Sequence, residues 1–123
     1  MGWAYAPKVG ARARLHQAAD SEEQLVRYLA DNVLPNLFSR CGRTLQVDGS
    51  FGMTAAIGEM LLQSDRGVLE ILPALPPTWN TGAVSGKRAR LSLTRLRRCR
   101  RLSLARASAD RRVVKVTSHV QRT

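Results

Sequence analysis

The sequence predicts an α+β chain in three parts: helices over residues 1–66, strands over 67–90, and a basic tail over 91–123. Three observations carry this. Apolar residues recur at helical spacing as far as Leu61, the pattern of a helix with one buried face. After Gly67 the apolar runs become short and are punctuated by Pro73, Pro76 and Pro77, as in strands joined by turns. Charge is segregated as well. Residues 1–90 hold ten Lys or Arg against eight Asp or Glu, a net +2, while residues 91–123 hold ten against Asp110 alone, a net +9.

In chain order, residues 3–17 mix apolar and basic side chains in a helical pattern, and Pro7 is tolerable only in a first turn. Residues 21–34 predict a second helix. Asp20 or Ser21 is placed to cap it, Glu23 or Gln24 stands three residues later, and Leu25, Leu29 and Val33 follow at four-residue spacing, a capping-box signature with one apolar stripe. Pro35 and Asn36 end it, and a loop through Ser39, Cys41 and Gly42 leads to a short apolar run at Leu45 and Val47. Residues 51–64 predict a third helix on Met53, Ile57, Met60 and Leu61, with Ser50 as N-cap and Asp65-Arg66-Gly67 as the exit turn. "VLEILPAL" then reads as a strand, "PPTWNTG" as a turn and "AVSGKRARL" as a second strand.

Composition narrows the function classes. Cys41 and Cys99 stand far apart, and the histidines are His16 and His119, so no ligand spacing predicts a metal or a cofactor. Lys8, Arg12 and Arg14 interrupt any apolar run near the start, which argues against an intact signal peptide and leaves a reducing, cytoplasmic setting as the default. The uncharged stretch 71–86 is short and broken by prolines, so no transmembrane helix is expected.

The residue that stands out is Asp48, a carboxylate between apolar segments. One account is local: Asp beside Gly forms turns, and an Asp at a helix start favours the positive end of the helix dipole. A second account comes from a wider pattern. Gly2-Trp3, Pro35-Asn36-Leu37-Phe38, Gln46-Val47-Asp48-Gly49-Ser50-Phe51-Gly52, Glu59-Met60-Leu61-Leu62-Gln63-Ser64, Leu72-Pro73-Ala74-Leu75-Pro76, Gly82-Ala83-Val84-Ser85-Gly86 and Arg88-Ala89-Arg90 follow in order. Together they resemble the C-terminal region of glycoside hydrolase family 95, the α-L-fucosidases and relatives acting on α-L-galactosides.

The resemblance implies a fold and a chemistry. The chain would hold the terminal helices of an (α/α)6 barrel catalytic domain over residues 1–66 and the first strands of a small β domain over 67–90. The reaction would be hydrolysis of a terminal α-L-fucoside with inversion, on a fucosylated glycan and without a cofactor. Asp48 would support the asparagines that activate the attacking water. The general-acid Glu and those asparagines belong to barrel segments upstream of Met1, so the chain alone is expected to be inactive, and its uncovered apolar faces are expected to self-associate. Glu59 reads as a structural carboxylate, Trp79 as a packing residue, and Trp3 as a core residue, with stacking on a sugar face as its alternative. The loop 39–43 departs from the family, which usually has an Asp and a His-Pro-Pro stretch there. Pro7 stands where the family tends to have Trp, and Ser50 where it usually has Asn.

After Arg90 the resemblance breaks off, and the remaining residues contain no Gly, Pro or aromatic residue. Arginine enrichment with loss of glycine is what an out-of-frame reading of a GC-rich gene produces, so residues 91–123 read as an out-of-frame or disordered segment. The competing function is a small basic nucleic-acid-binding protein using this tail. Without an aromatic residue to stack on bases, such binding would be electrostatic and nonspecific.

Overall fold

The structure, a computed structural model, describes residues 1–65, 68–79, 81–87, 95–98, 104–110 and 113–121. A 3-10 turn at Gly2–Ala4 leads into α1 (Tyr5–Arg14), α2 (Ala18–Asn32) and α3 (Val47–Leu61), with a small hairpin of β1 (Arg40–Cys41) and β2 (Thr44–Leu45) between the last two. Strands β3 (Leu62–Asp65), β4 (Val68–Ile71), β5 (Thr81–Lys87), β6 (Arg95–Arg98), β7 (Leu104–Asp110) and β8 (Val113–Gln121) follow.

The predicted order of helices before strands is observed, with shifts at the ends. Pro7 falls in the first turn of α1, where its missing N–H costs nothing. The helix ends in a Schellman motif. Gln17 N–H donates to Arg12 O at 2.9 Å and His16 N–H to Ala13 O at 3.0 Å, with His16 in the left-handed region at φ 60°. α2 begins three residues before residue 21, and the predicted capping box does not form. The Ser21 hydroxyl instead donates to Gln17 O at 2.8 Å, while Asp20 lies 3.9 Å from Arg12. The buried face of α2 is also rotated. Ser21, Leu25, Tyr28 and Asn32 point inward, Leu29 is exposed, and the Tyr28 ring packs at a tilt against Tyr5, 6.2 Å between centroids.

α3 starts at Val47, one turn before the predicted residue 51. Ser50 is therefore inside the helix rather than capping it. Met53, Ala56 and Met60 face the core with Ala6, Val9 and Ala13 of α1, and small residues bring the two helices close. A Cβ on Gly52 would lie 2.9 Å from that of Ala6. Residues 62–64, read as helix from their sequence, and Asp65, read as the start of the exit turn, form a strand instead, because they pair antiparallel with β4 from Leu62↔Ile71 to Asp65↔Val68.

β4 ends at Ile71, inside the predicted "VLEILPAL" strand, since Leu72 takes φ 54° and turns the chain so that Ala74 N–H reaches Met60 O at 3.2 Å. Trp79 packs on the helical core as predicted. β5 begins two residues before the predicted Ala83, and the end of that predicted strand lies outside the described residues. β4 and β6 pair parallel, and β8 lies between β5 and β7, antiparallel to both. The described parts of the segment after Arg90 are the strands β6, β7 and β8. The β-branched Val113, Val114, Val116, Thr117 and Val120 of β8 favour that conformation. Among the described residues no helix is long and apolar enough to cross a membrane.

Candidate active site

The approach to Asp48 is set by local hydrogen bonds. Beyond α2, Val33 and Ser39 form an isolated antiparallel bridge around a tight loop. In that loop Leu34 N–H donates to Phe38 O at 2.9 Å and Leu37 N–H to Leu34 O at 2.8 Å. From Ser39 the chain runs out along β1 and back along β2. Gly42, at φ 59°, supplies the positive φ that two-residue hairpins favour. Gln46 N–H then donates to Ser39 O at 2.8 Å. The excursion begins and ends on residue 39, and α3 starts directly after it.

Asp48 is the second residue of α3, where the partial positive charge of the helix terminus favours a carboxylate. Its Oδ1 accepts from Gly49 N–H at 3.1 Å. The side chain is exposed and lines an open groove of about 410 Å³ between α1 and α3. Small residues, including Gly10, Gly52 and Ala55, form much of the groove wall, and the polar side chains on it are Trp3, Asp48 and Glu59. Trp3 was expected in the core. It is 49% exposed instead, because its backbone N–H is tied to Gln46 Oε1 at 3.2 Å beside the start of α3.

Glu59 shares this groove, three helical turns further along α3. Eleven residues at 1.5 Å each separate the two carboxylates by about 16 Å along the helix axis. The two carboxyl groups of an inverting glycosidase stand about 6.5–9.5 Å apart, so Asp48 and Glu59 are too distant to act as such a pair on one bond. Glu59 has a structural partner as well: Arg14 Nε and Nη2 donate to its two carboxylate oxygens at 3.2 and 3.3 Å. Among the described residues, no group of three His, Cys, Asp or Glu side chains is placed to hold a metal ion.

Residues 1–61 match the glycosyl hydrolase family 95 catalytic domain, and residues 63–97 match the glycoside hydrolase family 95 C-terminal domain. The chain belongs to glycoside hydrolase family 95. It is also 36% identical over 106 residues to Alpha-L-fucosidase 2 of Arabidopsis thaliana, an alignment covering 76% of this chain and 12% of that relative. The family 95 match changes over at residue 62, where α3 gives way to β3. It also runs seven residues past Arg90, where the motif-by-motif resemblance breaks off.

Sequence reasoning singled out Asp48 but missed what surrounds it. Ser39 is fully buried and sits against Gly2 and Gly49. Nothing in the order of residues signals that three segments so far apart in the chain meet. Gln63 was read as a helical residue. Its Nε2 donates to Ala13 O at 2.9 Å and to Glu59 O at 3.0 Å, joining the last turns of α1 and α3.

Proposed function

We propose that this chain supplies the closing helices of the (α/α)6 barrel of a glycoside hydrolase that cleaves terminal α-L-fucosides, or related α-L-galactosides, with inversion. The observation that carries the reading is the exposure of Asp48 to an open groove within the segment that matches the family 95 catalytic domain. The similarity to an enzyme named Alpha-L-fucosidase 2 favours fucose as the sugar.

Inversion requires a general acid at the leaving oxygen and, on the opposite face of the sugar, a separate system that activates water. Asp48 serves the second role. A carboxylate at a helix N-terminus accepts hydrogen bonds and can orient neighbouring amide side chains toward the water. Glu59 does not supply the acid, given its distance and its bond to Arg14. The acid and the water-holding asparagines come from barrel segments beyond this chain, so the 123 residues alone do not turn over substrate.

The test joins this chain to the upstream barrel of a relative and assays an aryl α-L-fucoside. Asp48→Asn should lower kcat far more than it raises KM, because the lost interaction supports charge developing in the transition state. Glu59→Gln should leave kcat within a few-fold, about the scale of an exposed ion pair. An Asp48→Asn effect confined to KM, or turnover by the isolated chain, would overturn the assignment.

A further inference from the structure

We propose that Ser39 is the positioning residue of Asp48: the buried serine fixes the backbone on both sides of the carboxylate and so sets the direction in which it meets the groove. The inference rests on the reading of Asp48 given above, and its test is separable from that reading.

The geometry around Ser39 is unusual in one respect. Its side chain is fully buried, yet its Oγ has no hydrogen-bond partner among the described residues. Burying an unsatisfied hydroxyl is unfavourable, so packing must hold it there. Oγ lies between two glycines from distant parts of the chain. At both Gly2 and Gly49 the Cα hydrogen that stands in place of a side chain points at this oxygen, and a Cβ at either position would collide with it.

The main chain of the same residue makes two stronger bonds. Ser39 N–H donates to Ser50 Oγ at 2.9 Å, and Ser39 O accepts from Gln46 N–H at 2.8 Å. Residue 39 therefore touches the chain two residues before Asp48, one residue after it and two residues after it. Gln46 is held from its other side by Trp3 N–H. Among the described residues Asp48 itself bonds only its own neighbour, Gly49 N–H, which leaves its direction to the backbone of residues 46–50. A larger side chain at 39 has no room beside Gly2 and Gly49, and a smaller one leaves the niche empty.

The experiment uses the isotope-labelled 123-residue chain with Ser39→Gly and Ser39→Ala. The primary reading is the side-chain rotamer of Asp48, from its two Hα–Hβ three-bond couplings. The second is amide exchange at Gln46 and residue 39, compared with Met60 and Leu69. In the native protein the two couplings should be unequal, reporting one rotamer. Ser39→Gly should average them and speed exchange at Gln46 and residue 39 by roughly tenfold or more, with Met60 and Leu69 unchanged, as a local opening does. Ser39→Ala, which keeps the Cβ, should move the couplings part of the way.

Equal couplings in the native protein would overturn the proposal. So would couplings unchanged in both variants, since a merely structural serine would alter exchange without moving the carboxylate. Loss of the fold in both variants would overturn it too, by making Ser39 a support of the whole molecule. If kcat survives Asp48→Asn in the barrel-completed enzyme, the catalytic reading fails while the coupling of Ser39 to Asp48 stands.

Discussion

The hydroxyl oxygen of Ser39 occupies the space that a methyl group on Gly49 would need, and a methyl group on Gly2 would meet the same oxygen. Helix propensity alone favours alanine over glycine within a helix by about 1 kcal/mol. Here the packing reverses that preference.

Gly2→Ala and Gly49→Ala should each destabilise the protein by about 1–3 kcal/mol, the usual cost of overpacking. Adding Ser39→Ala should rescue them unequally. At Gly2 the remaining neighbours, Arg40 O and Tyr28 Cε2, are 3.4 Å from the new methyl; at Gly49, Ser39 Cβ at 3.1 Å and the Gly2 carbonyl carbon at 3.3 Å still crowd it. Urea unfolding of the single and double variants checks this, and equal rescue at the two sites would contradict it.

Gln63 joins the ends of two helices, so its replacement should be felt by both. Gln63→Leu removes the donor shared by Ala13 O and Glu59 O and should cost about 1–3 kcal/mol. Gln63→Glu should cost more, because a carboxylate oxygen would then face two carbonyl oxygens. Thermal unfolding ranks the three proteins, and a Gln63→Glu variant as stable as the native one would remove Gln63 from this role.

Phe51 and Val47 lie four residues apart on one side of α3, 72% and 53% exposed. An apolar surface of this kind promotes association. The chain should sediment as a concentration-dependent mixture, and Phe51→Ser should shift it toward monomer without lowering its unfolding midpoint, since an exposed ring contributes little to the core. Unchanged sedimentation would place the association surface elsewhere.

The helical core was legible because burial imposes a period: Met53 and Met60 mark the inner face of α3 whatever happens at its ends. Ends were less legible, since they depend on partners. Ser50 looks like an N-cap, but its hydroxyl is taken by Ser39 N–H, and the helix begins a turn earlier. Residues 62–65 carry acceptable helical residues and become a strand because β4 lies alongside. At the site, the position of Asp48 was legible from its motif. The exposure of Trp3 and the burial of Ser39 were not, because both depend on the meeting of residues 2–3 with residues 46–50, more than forty positions apart.

The last prediction concerns the charge after Arg90. Ten basic side chains against Asp110 attract any polyanion, so the full chain should bind DNA, RNA and heparin at low salt and lose affinity steeply as salt rises and released counterions cost more to displace. Sequence preference needs side chains that read base edges or stack on bases, and no aromatic residue follows Trp79. Heparin should therefore compete with any nucleic acid on equal terms at physiological salt, where nonspecific dissociation constants are about 10⁻⁴ to 10⁻⁶ M. Filter binding over a salt series, with heparin as competitor, gives the measurement. A nucleic acid that resists heparin and binds well below that range would make the tail a recognition element and give this chain a function apart from the one proposed for the groove at Asp48.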